Sequence, residues 1–448
     1  MLQQMLQMLG GMGASPGAAD PWVQAKQVAE TIASDGGSEA NVDPAVRLAV
    51  EDLARVADLH ARQRPGVNLG ESARIVAVSR RTWTSDAVAA YRPFFDRFTE
   101  ALQQNGATEL LPEDMSPEEA EMVGPMAQMF SQMMGGLAPM MVVGSAGAML
   151  GHLGQRVVGT YDLPVPRPGN DVQVVPTGMQ EIADATGAPL AEVQMYVLIH
   201  ELIAHAVLSV PHVSGRLEAL YMDFASAFRP NQEAIMEEVG DVTDLAQIMQ
   251  ISSQMQDPEA VLRMMRSRTH DLLVPQLDAL VAAVLGFVEY STMVACSALM
   301  TGHPAIRDAM RTRRTEQHDA ETFMERLLGI NITESTLQRG ATFVAGVVER
   351  SGDAGLERLW SDELDLPTAA EVDAPGLWLE RIGLGDGDLL ELGPGVLDLG
   401  DRGDVDDGLR RGGHRLEGGR NALRLGCRLD LGDDARQLER RCRPDSVG

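Results

Sequence analysis

Two Asp-Pro pairs, each just ahead of an apolar run with helical spacing, constrain the fold of this chain most. Asp20-Pro21 and Asp43-Pro44 each place a capping carboxylate before a proline at the first helical position. Between residues 42 and 63, apolar side chains recur every three or four positions, which is the period of one helix face. Further helices are predicted over residues 83–104, 177–186, 190–209 and 259–300.

The composition favours helices that pack on helices. Aromatic residues make up only 4% of the 448 residues, whereas methionine occurs 25 times. A core built from Leu, Val, Ala and Met suits helix packing better than sheet packing. Only residues 171–175 are predicted to form a short strand. We therefore expect a mainly α, multi-helix domain.

The composition changes abruptly after residue 382. Gly, Asp, Leu and Arg dominate residues 383–448, and the helical periodicity disappears. A segment of this kind cannot bury enough apolar surface to form a core, so a disordered C-terminal tail is predicted. Residues 1–19, rich in Met and Gly, are predicted to be a flexible N-terminus. Residues 20–382 then form the helical domain.

The net charge and the cysteine content limit the classes of partner and the cellular compartment that fit this chain. The formal net charge of −28 would repel phosphates, which argues against nucleic acid as a partner. Three cysteines, Cys296, Cys427 and Cys442, are too few for a disulfide framework. The N-terminus has no basic region ahead of an apolar one, so no signal peptide is expected. These features favour a cytoplasmic protein.

The most apolar stretch, residues 122–153, is expected to be a buried helical hairpin. Glycines and Pro139 interrupt it, which argues against a membrane span. Gly147 and Gly151 are four residues apart, and small residues at this spacing allow a second helix to approach closely. We therefore predict that no segment here spans a membrane.

The strongest candidate for chemistry is the apolar helix that carries His200, Glu201 and His205. In the H-E-x-x-H motif, two histidines four apart bind one zinc ion, and the glutamate acts as general base on the metal-bound water. Here the histidines are five apart, about 140° around a regular helix. They would face one ion only if the helix contained a π-bulge. Glu201 and His205, four apart, share a face and form an easier half-site.

A third zinc ligand would have to come from another segment. Glu289 lies in a second apolar helical run, and a buried carboxylate needs a partner, either a metal or, more commonly, an arginine. Glu218 and Glu237-Glu238 are alternatives that are better explained as solvated. The side chains of His200, Glu201 and His205 could instead form an internal hydrogen-bond network without a metal. His212, after Pro211, is predicted to lie at the surface, and Cys296 to be a buried thiol.

Several segments resemble the zincin-like metallopeptidases of actinobacteria, a family of predicted zinc-dependent hydrolases. The most specific is V-V-G-T-Y-D-L at residues 157–163, and three others agree, at residues 184–207, 311–330 and 359–378. The resemblance implies a helical zincin-like fold, a zinc cofactor, and hydrolysis of a peptide or protein by a metal-activated water. It implies His205 and Glu289 as zinc ligands. The hypothesis of a zinc-dependent hydrolase adds His200 as a further ligand and Glu201 as the catalytic base.

The sequence departs from the family motif in one respect. If His205 is aligned with the second histidine, Glu201 takes the place of the first and Leu202 that of the base. If His200 is aligned with the first, Ala204 takes the place of the second. The hypotheses are therefore a zinc-dependent hydrolase, a catalytically degenerate binding or scaffold protein of the same fold, and a zinc-free protein whose tail binds cations or partners. Substrate and oligomeric state stay open.

Overall fold

A computed structural model describes residues 20–37, 39–70, 73–106, 142–229, 266–316 and 325–385. Three predicted segments lie outside the described residues: the flexible N-terminus, nearly all of the tail, and residues 122–141 of the apolar stretch.

The described part of the chain is mainly helical, as the sequence predicts. The first half contains α1 (Pro21–Ala33), α2 (Pro44–Arg62), β1 (Arg74–Ala77), α3 (Arg80–Gly106), α4 (residues 142–156), β2 (Asp171–Val174), α5 (Pro176–Thr186), α6 (Leu190–Leu208) and α7 (Pro211–Ser226). The second half contains α8 (Arg268–Ser297), α9 (His303–Thr315), α10 (Glu334–Ser351), α11 (Asp353–Arg358), a 3₁₀ turn (Glu363–Asp365), α12 (Ala369–Asp373) and α13 (Pro375–Arg381).

The two Asp-Pro pairs begin helices as predicted. An oxygen of the Asp20 side chain accepts a hydrogen bond from the Trp22 amide at 3.1 Å, and Asp43 accepts one from Ala45 at 2.7 Å. Each carboxylate satisfies a backbone N–H that the first turn leaves unpaired, and the proline has no N–H to lose.

A two-stranded sheet lies beside the central helix. β1 and β2 run parallel, with Arg74 opposite Asp171 and Ala77 opposite Val174. On the other side of β2, Gly159 forms an antiparallel bridge with Val174. β2 also packs on α6. The sheet therefore holds the loop of residues 157–163 against α6, the helix that carries the candidate site.

Helix α6 is the core helix of the described structure. Every residue from Tyr196 to Leu208 is buried, and α2 and α8 both pack on it. A helix that is apolar on all sides is expected at the centre of a domain. By length and hydropathy, α6 and α8 could each cross a membrane, but 78% of each apolar window is buried inside the protein, as in the core helices of soluble proteins.

Helix α4 confirms the predicted close approach of a second helix. A Cβ added at Gly147 would lie 2.6 Å from the carbonyl oxygen of Ala25, and one added at Gly151 would lie 2.8 Å from that of Ala29. Ala25 and Ala29 belong to α1. The two glycines therefore allow the α1 and α4 backbones to touch.

Candidate functional site

Helix α6 is a regular α-helix from Leu190 to Leu208. It contains no π-bulge, so the condition under which His200 and His205 would face one metal ion is not met. Five residues of regular helix separate their directions by about 140°. The two imidazoles consequently leave the helix on different faces.

His200 and His205 line different cavities. His200 lines a small cavity of about 20 Å³ together with Tyr196, Glu289 and Arg314. His205 lines a much larger cavity of about 670 Å³ together with residues of the loop at 66–70, the start of α7 and the end of α11. The two linings share no described residue.

Glu201 lies between the histidines and is only 2% exposed. One carboxylate oxygen accepts a hydrogen bond from the Tyr161 amide at 2.9 Å, and the other is 3.3 Å from Nδ1 of His200. A Cβ on Gly159 would lie 2.3 Å from the carboxyl carbon of Glu201, so only glycine lets the loop pass this close. The carboxylate is therefore held by the loop at residues 157–163.

His205 is held by the same loop. Its Nδ1 is 2.8 Å from the hydroxyl of Tyr161, and its side chain is 3% exposed. Burial lowers the pKa of His205, and burial together with the nearby Glu201 charge raises the pKa of Tyr161. Both groups are thus neutral near pH 7. The Tyr161 hydroxyl has no other acceptor among the described residues, so it donates to Nδ1, and the proton of His205 lies on Nε2.

Two arginines of α9 fix the loop. Asp162 accepts a hydrogen bond from the Val158 amide at 2.8 Å and forms an ion pair with Arg313. Arg314 donates to the carbonyl oxygen of Tyr161 at 3.1 Å, and burial lowers the pKa of its guanidinium. Sequence reasoning did not find these contacts of the loop. The available signal was that residues 157–163 and 311–330 both carry the family resemblance.

Glu289 has an arginine partner, which is the second of the two alternatives that the sequence left open. Its carboxylate is 3.1 Å from a guanidinium nitrogen of Arg311, which also binds Glu334 at 2.9 Å. Glu218 is exposed on α7, as expected for a solvated residue, and residues 237–238 lie outside the described structure.

These residues do not fit a zinc ion in the arrangement observed. A zinc site needs three or four N, O or S donors converging on one point. Within the described ranges, no group of three His, Cys, Asp or Glu side chains is close enough to hold a metal. His200 and His205 diverge, and Glu289 is bound to Arg311. The assignment of His200, His205 and Glu289 as zinc ligands, and of Glu201 as base, stays a prediction.

Two neighbouring predictions have different outcomes. His212, predicted to lie at the surface, is half-buried in the first turn of α7, which Pro211 starts, and its Nε2 is buried and unpartnered among the described residues. Proline ends one helix here and, as a favoured first residue, begins the next. Cys296 is a buried free thiol, as predicted, and burial raises its pKa to about 12.

Comparison with known proteins supplies the family. The sequence profile of the zincin-like metallopeptidases matches residues 21–379. This chain belongs to the zincin-like metallopeptidase family. A proposed hydrolase with a novel fold from Chloroflexus aurantiacus, known from a crystal structure, has a similar fold, with a TM-score of 0.50 over 81% of this chain and 98% of that chain. The sequences are 17% identical. No curated protein matches the chain.

Proposed function

We propose that this chain is a catalytically degenerate member of the zincin-like metallopeptidase family, a helical binding protein that keeps the fold without a working zinc centre. The observation that carries the proposal is the divergence of His200 and His205 along a regular helix, so that the two imidazoles line separate cavities. Two histidines that do not face one point cannot share an ion.

The environment of Glu201 supports the same proposal. A general base must reach the water that it deprotonates, directly or through one other water. Glu201 is 2% exposed, lines neither of the two cavities, and accepts a backbone hydrogen bond from Tyr161. Its carboxylate serves to hold the loop at residues 157–163 rather than to meet a substrate.

A second candidate function, zinc-dependent hydrolysis of a peptide, is favoured by the family match over residues 21–379. In that case His200, His205 and Glu289 would bind zinc, which would supply an activated water, and Glu201 would accept its proton. This function requires α6 to change its local geometry and Glu289 to leave Arg311.

A hydrolysis assay separates the two functions. The full chain would be incubated with a peptide library in the presence of zinc, beside a Glu201→Gln variant, and products would be identified by mass spectrometry. We expect no cleavage by either protein. Cleavage by the original chain that is lost in Glu201→Gln would contradict the proposal and establish Glu201 as the base. Thermal unfolding of both proteins would show that they are equally folded.

A further inference from the structure

The cavity that His205 lines has features of a ligand site. Its volume of about 670 Å³ lies within the range of small-molecule pockets. Its walls combine apolar side chains, among them Val67, Leu69 and Val210, with a few polar groups. We call it the His205 cavity.

One wall of the His205 cavity is the N-terminus of α7, formed by Val210, Pro211 and His212. In the described part of the chain, no side chain caps the start of this 16-residue helix. Unpaired N–H groups and the positive end of the helix dipole favour a negatively charged group at such a terminus.

His205 adds an independent donor in the same cavity. Its side chain is 97% buried, and because Nδ1 is occupied by the Tyr161 hydroxyl, the proton lies on Nε2. Nε2 has no partner among the described residues. A donor that loses water on burial is costly without an acceptor, so a ligand that offers an acceptor to Nε2 would be favoured here.

The cavity lining also contains a carboxylate. Glu357 is exposed at the end of α11 and has no ion-pair partner among the described residues. Among the residues that the structure describes, no lysine or arginine lines the cavity. A ligand with several negative charges would be repelled by Glu357, whereas an ammonium group would be attracted to it.

We infer that the His205 cavity binds a small zwitterion of the α-amino acid class, with its carboxylate at the N-terminus of α7 and at His205 Nε2, and its ammonium group at Glu357. The apolar side chains would contact the remainder of the ligand. The inference rests on the proposed function, because it requires His205 to be free of zinc.

Isothermal titration calorimetry of the full, EDTA-treated chain tests the inference. The probes are the standard L-amino acids, first as pools and then singly. For the amino acid that binds best, two analogues are compared, one lacking the ammonium group and one lacking the carboxylate. We expect one or more amino acids to bind. Each analogue should bind at least about tenfold more weakly, because each loses a charge-assisted contact.

A matched pair of variants locates the site. Glu357→Gln should weaken binding of the amino acid about tenfold and leave binding of the ammonium-free analogue unchanged. Glu349→Gln, which alters a glutamate that is 81% exposed and outside the cavity lining, should change neither. Absence of binding by every amino acid, or equal binding by the Glu357→Gln variant, would overturn the inference.

The two proposals fail in different ways. Stoichiometric zinc in the purified chain would contradict the degenerate-site proposal. Absence of amino-acid binding by a zinc-free, folded chain would contradict only the assignment of the His205 cavity.

Discussion

The hydroxyl of Tyr161 lies 2.8 Å from Nδ1 of His205, a nitrogen that would otherwise be buried without a partner. The backbone amide of Tyr161 also donates a hydrogen bond to the carboxylate of Glu201. One residue of the loop at 157–163 therefore contacts two of the three candidate-site side chains on α6, namely Glu201 and His205.

Tyr161→Phe removes this hydrogen bond without changing the ring. We expect the free energy of unfolding to fall by about 1–2 kcal/mol, because His205 would keep an unpaired buried nitrogen. Guanidinium denaturation would measure the change. The control is Tyr290→Phe, since the hydroxyl of half-buried Tyr290 has no partner among the described residues. Equal effects of the two substitutions would show that the contact with His205 contributes nothing.

Gly159→Ala tests the close approach of the loop to Glu201. The added Cβ would lie 2.3 Å from the Glu201 carboxyl carbon, so the loop or the carboxylate must shift. We expect a loss of about 1–3 kcal/mol in the free energy of unfolding, as for overpacked cores. Gly215→Ala, at an exposed position of α7 with nothing within 4 Å, should instead stabilise the chain by about 0.5–1 kcal/mol. A neutral effect at residue 159 would refute the geometry described for Glu201.

Glu289→Gln separates an ion-pair role from a ligand role. The contact with Arg311 is largely buried, with the two side chains 21% and 17% exposed. We expect a loss of about 1–3 kcal/mol in the free energy of unfolding and no change in metal content. Glu334→Gln, at a side chain 66% exposed on the same arginine, should cost less than about 1 kcal/mol. Loss of bound zinc in Glu289→Gln alone would favour the ligand role.

Much of the fold could be predicted from the sequence. Proline and aspartate mark where α1 and α2 begin, and the short strand predicted over residues 171–175 is observed at Asp171–Val174. The local signals are strong there because a cap and a proline act within one turn of helix.

The candidate site was harder to predict, because its contacts join residues far apart in sequence. Tyr161 and Glu201 are forty positions apart, and Asp162 and Arg313 are 151 apart. Periodicity says nothing about such pairs. Spacing did show that His200 and His205 diverge, but whether Glu289 faces a metal or Arg311 depends on how α8 and α9 pack.

The buried His270 should make stability depend on pH. Its ring lies between Phe224 and Phe228, with centroids 4.4 and 4.5 Å away, and burial lowers its pKa to about 4. In the unfolded chain the pKa of histidine is about 6.5. Between these values the unfolded chain binds the extra proton, so the free energy of unfolding falls as pH drops from about 6.5 to about 4.

The contribution of His270 can be isolated by substitution. We expect the contribution of His270 to the free energy of unfolding to fall by on the order of 3 kcal/mol as the pH drops through that window, and to be constant above it. Denaturation of the original chain and of His270→Asn at several pH values would measure the difference in slope. Parallel stability curves for the two proteins would contradict the burial of a neutral imidazole at this position.

Zinc content tests the central claim most directly. The full chain would be purified from zinc-supplemented culture without chelators and its metal measured by inductively coupled plasma mass spectrometry, beside His205→Ala. The degenerate-site account predicts fewer than about 0.1 zinc ions per chain in both proteins, because His200 and His205 do not face one point. About one zinc ion per chain in the original protein, lost in His205→Ala, would contradict the account and restore the metallopeptidase as the leading function.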